Sequence, residues 1–167
     1  MTHLVIGARG FIGSALMRRL GAAACGTSRR DGESDYVFDL LNFQDVPEAD
    51  TVYICAGANG AKACEGNQDA FLVNVDAPVK ISHIVTGRGG FVVYISSMSV
   101  EWLSAAYQRQ KLTAETVLRV MPGVGVVRAG RVLKTNIDDL CDTMIRVGRD
   151  RVCGVTRWGN DDIAYQK

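Results

Sequence analysis

His3-Leu4-Val5-Ile6-Gly7-Ala8-Arg9-Gly10-Phe11-Ile12-Gly13 opens the chain with a short apolar run and then places a glycine at every third position. The apolar run ends at a glycine and reads as a buried strand. From Phe11 onward the pattern turns helical. Phe11, Ile12, Ala15, Leu16 and Leu20 fall on one face, Arg18 and Arg19 on the other, and Gly21 stops the run. The sequence is therefore strand, glycine loop, helix. Gly7, Gly10 and Gly13 permit a tight turn and let backbone N–H groups approach an anion closely, while the helix N-terminus adds free donors and a favourable field. Together with Arg9, Phe11 and Ile12 they form a cradle expected to bind the pyrophosphate of a dinucleotide.

Beyond this stretch, strand-like and helical runs alternate. Strands are expected at 22–28, 36–38, 51–56, 91–96, 124–128 and 151–155. The run at 91–96, rich in β-branched and aromatic residues, is the strongest of these. Helices are expected at 68–85, perturbed near Pro78, at 105–120, ending before Pro122 and Gly123, and at 138–147. Strands alternating with helices imply an α/β fold: a Rossmann-like, doubly wound parallel sheet covered on both faces. No internal repeat or low-complexity linker divides the chain. It reads as one compact domain over 1–167, with a cofactor core at 1–130 and a reduced substrate-side region at 131–167.

Composition sets the outer bounds. At 167 residues and 47% hydrophobic content, with a net charge of +1, the chain can bury enough apolar surface to offset its entropy, so disorder is excluded. Eighteen glycines beside three prolines exclude collagen-like and proline-rich readings. No apolar stretch approaches the roughly 18 residues of a membrane span, so no membrane partner is expected. Near-neutral charge gives no electrostatic footprint for nucleic acid. The five cysteines (Cys25, Cys55, Cys64, Cys141, Cys153) lack a Cys-x-x-Cys pair. Neither a disulfide framework nor a metal site is expected, and most should be small core residues. With an apolar run beginning almost at Met1, the expected location is the cytoplasm.

The end of the second strand chooses the dinucleotide. An acid there would bind the ribose hydroxyls of NAD, whereas cations suit the additional phosphate of NADP. The segment reads Thr27-Ser28-Arg29-Arg30, so Ser28, Arg29 and Arg30, with Arg9 from the loop, favour NADP(H). A later strand end would bring Asp31 to the ribose and favour NAD(H) instead. A second constellation lies downstream. Tyr107 and Lys111 stand four apart on one helix face, and Ser97 ends the strongest strand just before that helix. A phenol beside a fixed cation can exchange a proton with a carbonyl or carbinol oxygen, and a hydroxyl can orient that oxygen. Chance alone would supply about 0.15 Tyr-x-x-x-Lys pairs in a chain of this composition. The order of all three features is what lifts them above coincidence.

The chain resembles the extended short-chain dehydrogenases/reductases, the superfamily of NAD(P)-dependent nucleotide-sugar epimerases, dehydratases and 4-ketosugar reductases. Residues 5–13, Phe38-Asp39-Leu40, Ile95-Ser96-Ser97-Met98-Ser99-Val100 and Tyr107–Lys111 with Leu112 and Glu115 carry the resemblance. Val126-Val127-Arg128-Ala129-Gly130 and Ile137-Asp138-Asp139-Leu140 continue it nearly to the end. It implies that Ser97, Tyr107 and Lys111 are catalytic and that Lys111 also holds the nicotinamide ribose. Asp39 and Leu40 would border the adenine, and Ala56 and Gly57 would pass beneath the cofactor. The stretch from Cys64 through Pro78 is similar to dTDP-4-dehydrorhamnose reductase-like proteins, with Asn74 as the helix asparagine supporting the site.

Two departures from that pattern bear on substrate. Only nine residues separate Ser97 from Tyr107, and Val132-Leu133 runs almost directly into Asn136. Family members carry substrate-contacting segments at both places. The expected substrate is a small molecule, a sugar nucleotide or a smaller sugar, with a homo-oligomer as one way of completing the pocket. The expected activity is NADP-dependent hydride transfer at a carbonyl or carbinol. The alternative is a non-catalytic NADP-binding sensor on the same scaffold. His3 and His83 carry no chemistry in this reading, Trp158 lies too near the C-terminus to interpret, and Trp102 is either a lid over the site or ordinary packing.

Overall fold

The computed structural model describes residues 1–159; the end of the expected substrate-side region 131–167 lies outside them. Seven strands form one parallel sheet: β1 (His3–Ile6), β2 (Ala24–Ser28), β3 (Tyr36–Val37), β4 (Thr51–Ile54), β5 (Phe91–Ser97), β6 (Val124–Ala129) and β7 (Gly154–Trp158). Their order is β3-β2-β1-β4-β5-β6-β7. The chain thus winds outward from β1 in one direction, returns, and winds outward in the other. Where β1 lies beside β4 the connections diverge and leave a crevice at the carboxyl ends of the strands.

Side-chain alternation divides the core in two. Leu4 and Ile6, Val52 and Ile54, Val92 and Tyr94, and Val124 and Val126 face one side. Val5, Tyr53, Phe91, Val93 and Val127 face the other. Helices α4 (Ala77–Gly87) and α5 (Ala106–Leu118) cover the first face with Ile81, Val85, Ala114 and Leu118. Helices α1 (Phe11–Leu20) and α6 (Ile137–Arg149) cover the second with Ala15, Leu16, Leu140, Met144 and Val147. Strands buried on both faces must be apolar at consecutive positions, which is why β1, β4 and β5 read as continuous runs.

Several boundaries differ from the sequence expectations. The second strand begins at Ala24 because residues Gly21–Ala23 form a tight 3-10 turn. The last strand lies at Gly154–Trp158, three residues beyond 151–155, because Arg151 takes a left-handed conformation and prolongs the turn after α6. Trp158, uninterpreted in the sequence, thereby joins the sheet. The expected helix at 68–85 is a continuous helical run of three parts: α3 (Gln68–Phe71), a π-helical segment Leu72–Asp76, and α4. A short helix, α2 (Ala61–Cys64), precedes it without having been anticipated. Only Cys64 and Cys141 are fully buried and Cys55 is half-buried, whereas Cys25 and Cys153 are exposed. Three of the five, Cys55, Cys64 and Cys141, thus lie in or against the core, as expected of most, and the other two lie at strand margins.

A buried ion pair joins α5 to the far half of the sheet. Glu115 is completely buried on α5 and accepts two bonds from Arg128 Nε, each 3.0 Å long, and one of 2.8 Å from Ser96 Oγ. Arg128 also reaches Glu101 at 3.1 Å, and Arg157 of β7 meets the same carboxylate at 2.8 Å. Strands β5, β6 and β7 are thereby tied to the helix carrying Tyr107 and Lys111.

Two stability outcomes follow. A Cβ on Gly13 would stand 2.1 Å from the carbonyl oxygen of Gly7, whereas Gly87 has open space around it. Gly13→Ala should lower the thermal unfolding midpoint by roughly 3–10 °C, the cost of overpacking in a chain of this size; Gly87→Ala should leave it nearly unchanged. Arg128→Met strands a buried carboxylate and should cost on the order of 3–5 kcal/mol in urea denaturation. The double change Glu115→Leu with Arg128→Met should recover most of that loss.

Candidate functional site

The glycine loop lies at the carboxyl end of β1, over the crevice. Gly7 has φ +88°, and a Cβ there would come within 2.8 Å of Ala56 Cβ, so the first turn and the segment after β4 touch backbone to backbone. Gly10 caps α1 without a side-chain hydrogen bond, and no acidic residue stands in the first turn. The first intrahelical bond is from Ser14 N–H to Gly10 O at 2.8 Å. The amides of Phe11, Ile12 and Gly13 precede it and have no carbonyl to reach within the helix. A glycine-rich rim with free N–H groups at the helix N-terminus and no negative charge fits a pyrophosphate.

At the neighbouring strand end, β2 stops at Ser28. Ser28 Oγ donates to Arg30 O and accepts from Arg30 N, both at 2.9 Å, which fixes the turn. Arg9, Arg29 and Arg30 are all exposed. Arg30 lies 3.4 Å from Glu33, a solvated pair of small energetic consequence. Asp31 accepts from the amide of Gly32 at 2.9 Å inside the same turn. Asp39 likewise caps its own turn, accepting from Leu41 N–H at 3.0 Å, while Leu40 packs on the core.

Beneath the crevice, Asn74 is almost completely buried in the π-helical segment. Its Oδ1 accepts from Ala58 N–H at 2.8 Å, and its Nδ2 donates to Ala58 O at 2.9 Å and to Gln110 Oε1 at 2.8 Å. One amide therefore clamps the segment after β4 to α5. Gly57 is the residue that permits this, since a Cβ there would meet Asn74 Oδ1 at 2.9 Å.

Helix α5 carries Tyr107 and Lys111, the candidate reactive side chains. Gln108 Oε1 accepts from Ala105 N–H at 2.7 Å and from Ser104 Oγ at 2.8 Å, securing its first turn. Tyr107, in that turn, is half-buried and packs on Cys64, Ala70 and Ala106. One turn on, Lys111 is buried, and its Nζ donates to Ile95 O at 2.7 Å and to Tyr94 Oη at 3.0 Å. The ammonium also lies 4.4 Å from the centre of the Tyr94 ring. Burial lowers the Lys111 pKa to about 8, opposed by the fields of Cys55, Cys64 and Glu115. Ser97 Oγ, at the end of β5, accepts from Ser99 N–H at 3.1 Å and lies 2.8 Å from Ser99 Oγ. Ser96 takes no part here, because its hydroxyl is bonded to Glu115.

The structure thus sets Ser97 at a strand end and Tyr107 above Lys111 on the adjoining helix, with the glycine loop and Ala56-Gly57 along the same edge of the sheet. Tyr94, Gln110 and Arg128 were not singled out as site residues. Their only sequence signal was polarity inside otherwise apolar or helical runs. His83 is exposed on α4, and His3 stacks on Tyr53 with ring centres 5.8 Å apart. Trp102 is half-exposed beside the 3-10 turn after β5. Among the described residues no cluster could hold a metal ion, and no helix is long and apolar enough to cross a membrane.

No curated protein sequence matches the chain. Many solved structures are similar to it, among them the following three. A hypothetical dTDP-4-dehydrorhamnose reductase from Sulfolobus tokodaii superposes with a TM-score of 0.78 at 18% identity, over 96% of this chain and 77% of that one. A UDP-N-acetylglucosamine 4-epimerase from Methanobrevibacter ruminantium M1, solved with UDP-N-acetylmuramic acid, gives 0.77 at 14%, over 95% and 76%. A dTDP-4-dehydrorhamnose reductase from Bacillus anthracis, solved with NADP, gives 0.75 at 16%, over 96% and 75%. These identities establish a shared fold. The sequence profile of one family matches residues 3–122, most of the chain. By that match, and in keeping with the glycine loop and strand order, the chain belongs to the NAD dependent epimerase/dehydratase family.

Proposed function

We propose that the chain is an NADP(H)-dependent oxidoreductase of reductase or epimerase type, acting at a carbonyl or carbinol of a nucleotide-linked or small sugar. The observation that carries this reading is Lys111, buried one helical turn beyond Tyr107 with its Nζ bonded to Ile95 O and Tyr94 Oη, on the helix that follows the strand ending at Ser97. The family is NAD(P)-dependent, and two of the similar structures are named for enzymes of sugar nucleotides. For the choice of cofactor, the support is the turn after β2, where Arg29 and Arg30 stand exposed and Asp31 is engaged with its own backbone. A similar structure solved with NADP agrees. Gly7, Gly10 and Gly13 would take the pyrophosphate, Arg9, Ser28, Arg29 and Arg30 the adenosine phosphate, Asp39 and Leu40 the adenine, and Lys111 the nicotinamide ribose.

A bound nicotinamide supplies or accepts the hydride. The chain's own residues handle the oxygen. Ser97 donates a hydrogen bond to it, Tyr107 gives it a proton as carbonyl becomes carbinol, and the Lys111 cation stabilises the phenolate left behind. Residues 1–130 would form the cofactor core and 131–167 the substrate side. The short connection from Gly130 to Asn136 between β6 and α6 supports a second reading, an NADP-binding regulator without turnover.

NADPH oxidation measured against a panel of ketosugars separates the two. Turnover should appear, and Tyr107→Phe should reduce it about 10²–10⁴-fold while NADPH affinity stays within roughly twofold. Tight NADPH binding with no turnover on any substrate would favour the regulator. Replacing Arg29 and Arg30 together by Ala should weaken NADPH far more than NADH in fluorescence titrations. Because the ammonium of Lys111 is present below about pH 8 and lost above it, turnover should decline as pH rises through that value.

A further inference from the structure

A second phenol, Tyr94, lies beneath the site. It is completely buried in β5, and burial raises its pKa well above the usual tyrosine value, so the hydroxyl stays protonated. That hydroxyl accepts from Lys111 Nζ at 3.0 Å. Its own proton must then go elsewhere, and the acceptor within reach is the backbone carbonyl of Asn74 at 3.4 Å. This carbonyl lacks the partner that an α-helix would give it. The residue four positions on is Pro78, which has no N–H to return to it, and the intervening residues have opened into a π-turn. A directed chain therefore runs from the Lys111 ammonium through the Tyr94 hydroxyl to the Asn74 carbonyl, joining α5, β5 and the helical run.

We propose that Tyr94 is a positioning residue, which holds the Lys111 ammonium charged and fixed in place by accepting its hydrogen bond while donating its own to the Asn74 carbonyl. A neutral hydroxyl suits this task because it can turn around. It accepts from an ammonium and can donate to an amine, so it serves Lys111 in both protonation states without burying a second charge. The other groups acting on Lys111 are Cys55 at the end of β4, Cys64 on α2 and Glu115 on α5, while Tyr107 acts on Tyr94. Glu115 favours the ammonium by charge, whereas burial keeps the two thiols protonated. Tyr94, with Ile95 O, is the partner that bonds it.

The functional consequence rests on the reading of Tyr107 and Lys111 as site residues, but the test begins on ligand-free protein and needs no turnover. The Lys111 Cε and Tyr94 Cζ resonances are followed against pH by ¹³C NMR. In wild type both should move with one shared midpoint, which requires no variant to fold. Tyr94→Phe keeps the ring and removes the acceptor, and should lower the Lys111 midpoint by about one pH unit. Tyr53→Phe, a buried hydroxyl of the opposite face without a partner among the described residues, should leave it unchanged. Where a substrate is found, the alkaline limb of turnover should shift with the Lys111 midpoint in Tyr94→Phe. Independent titration of the two resonances, or an unchanged Lys111 midpoint in Tyr94→Phe, overturns the proposal. Full turnover in Tyr107→Phe overturns instead the site reading beneath it.

Discussion

The approach of Gly7 to Ala56 is the constraint on which the rest of the site depends. Two backbones meet where the sheet reverses direction, at a distance no Cβ would allow. That contact closes the floor of the crevice and brings the N-terminus of α1 over the strand ends. Gly13 does the same between the helix and its own loop. Substituents at either position would lift the helix away from the sheet, and the unpaired amides of its first turn would no longer face the crevice.

Along the same edge, polar groups inside an apolar core hold the helix that carries Tyr107 and Lys111. Asn74, Glu115 and Lys111 are buried, and each is met by partners from other elements. Burying such groups costs several kcal/mol each unless they are paired. Once paired, they hold one geometry more strictly than apolar packing would. Asn74 binds the β4 segment to α5, Glu115 binds α5 to β5 and β6, and Lys111 binds α5 to the backbone of β5. The helix carrying Tyr107 is thus fixed at three points along its length.

Much of this arrangement was legible from local pattern. The glycine spacing, the alternation of strand and helix, and the Tyr107–Lys111 interval are short-range features, and each has a physical cause within a few residues. Boundaries shifted where backbone conformation rather than side-chain pattern decided them, at the turn of Gly21–Ala23 and at Arg151. The perturbation expected near Pro78 is present as a π-turn that precedes it, because the proline acts on the carbonyl four residues earlier. Tyr94 and Gln110 were illegible for another reason. Their partners are 20 and 36 residues away in sequence, and neither residue type announces a buried contact.

By itself, the amino-acid sequence determined the order of elements, the glycine loop and the one-turn spacing of Tyr107 and Lys111, since all of these rest on interactions within one strand, loop or helical turn. Tertiary structure alone decided that the Ser96 hydroxyl bonds Glu115, and that this carboxylate lies buried. It alone decided that the Lys111 ammonium rests on a phenol and a backbone carbonyl. Those outcomes depend on desolvation and on partners brought together by the folding of the sheet, and neither quantity exists in the chain until β5, α5 and the helical run pack together.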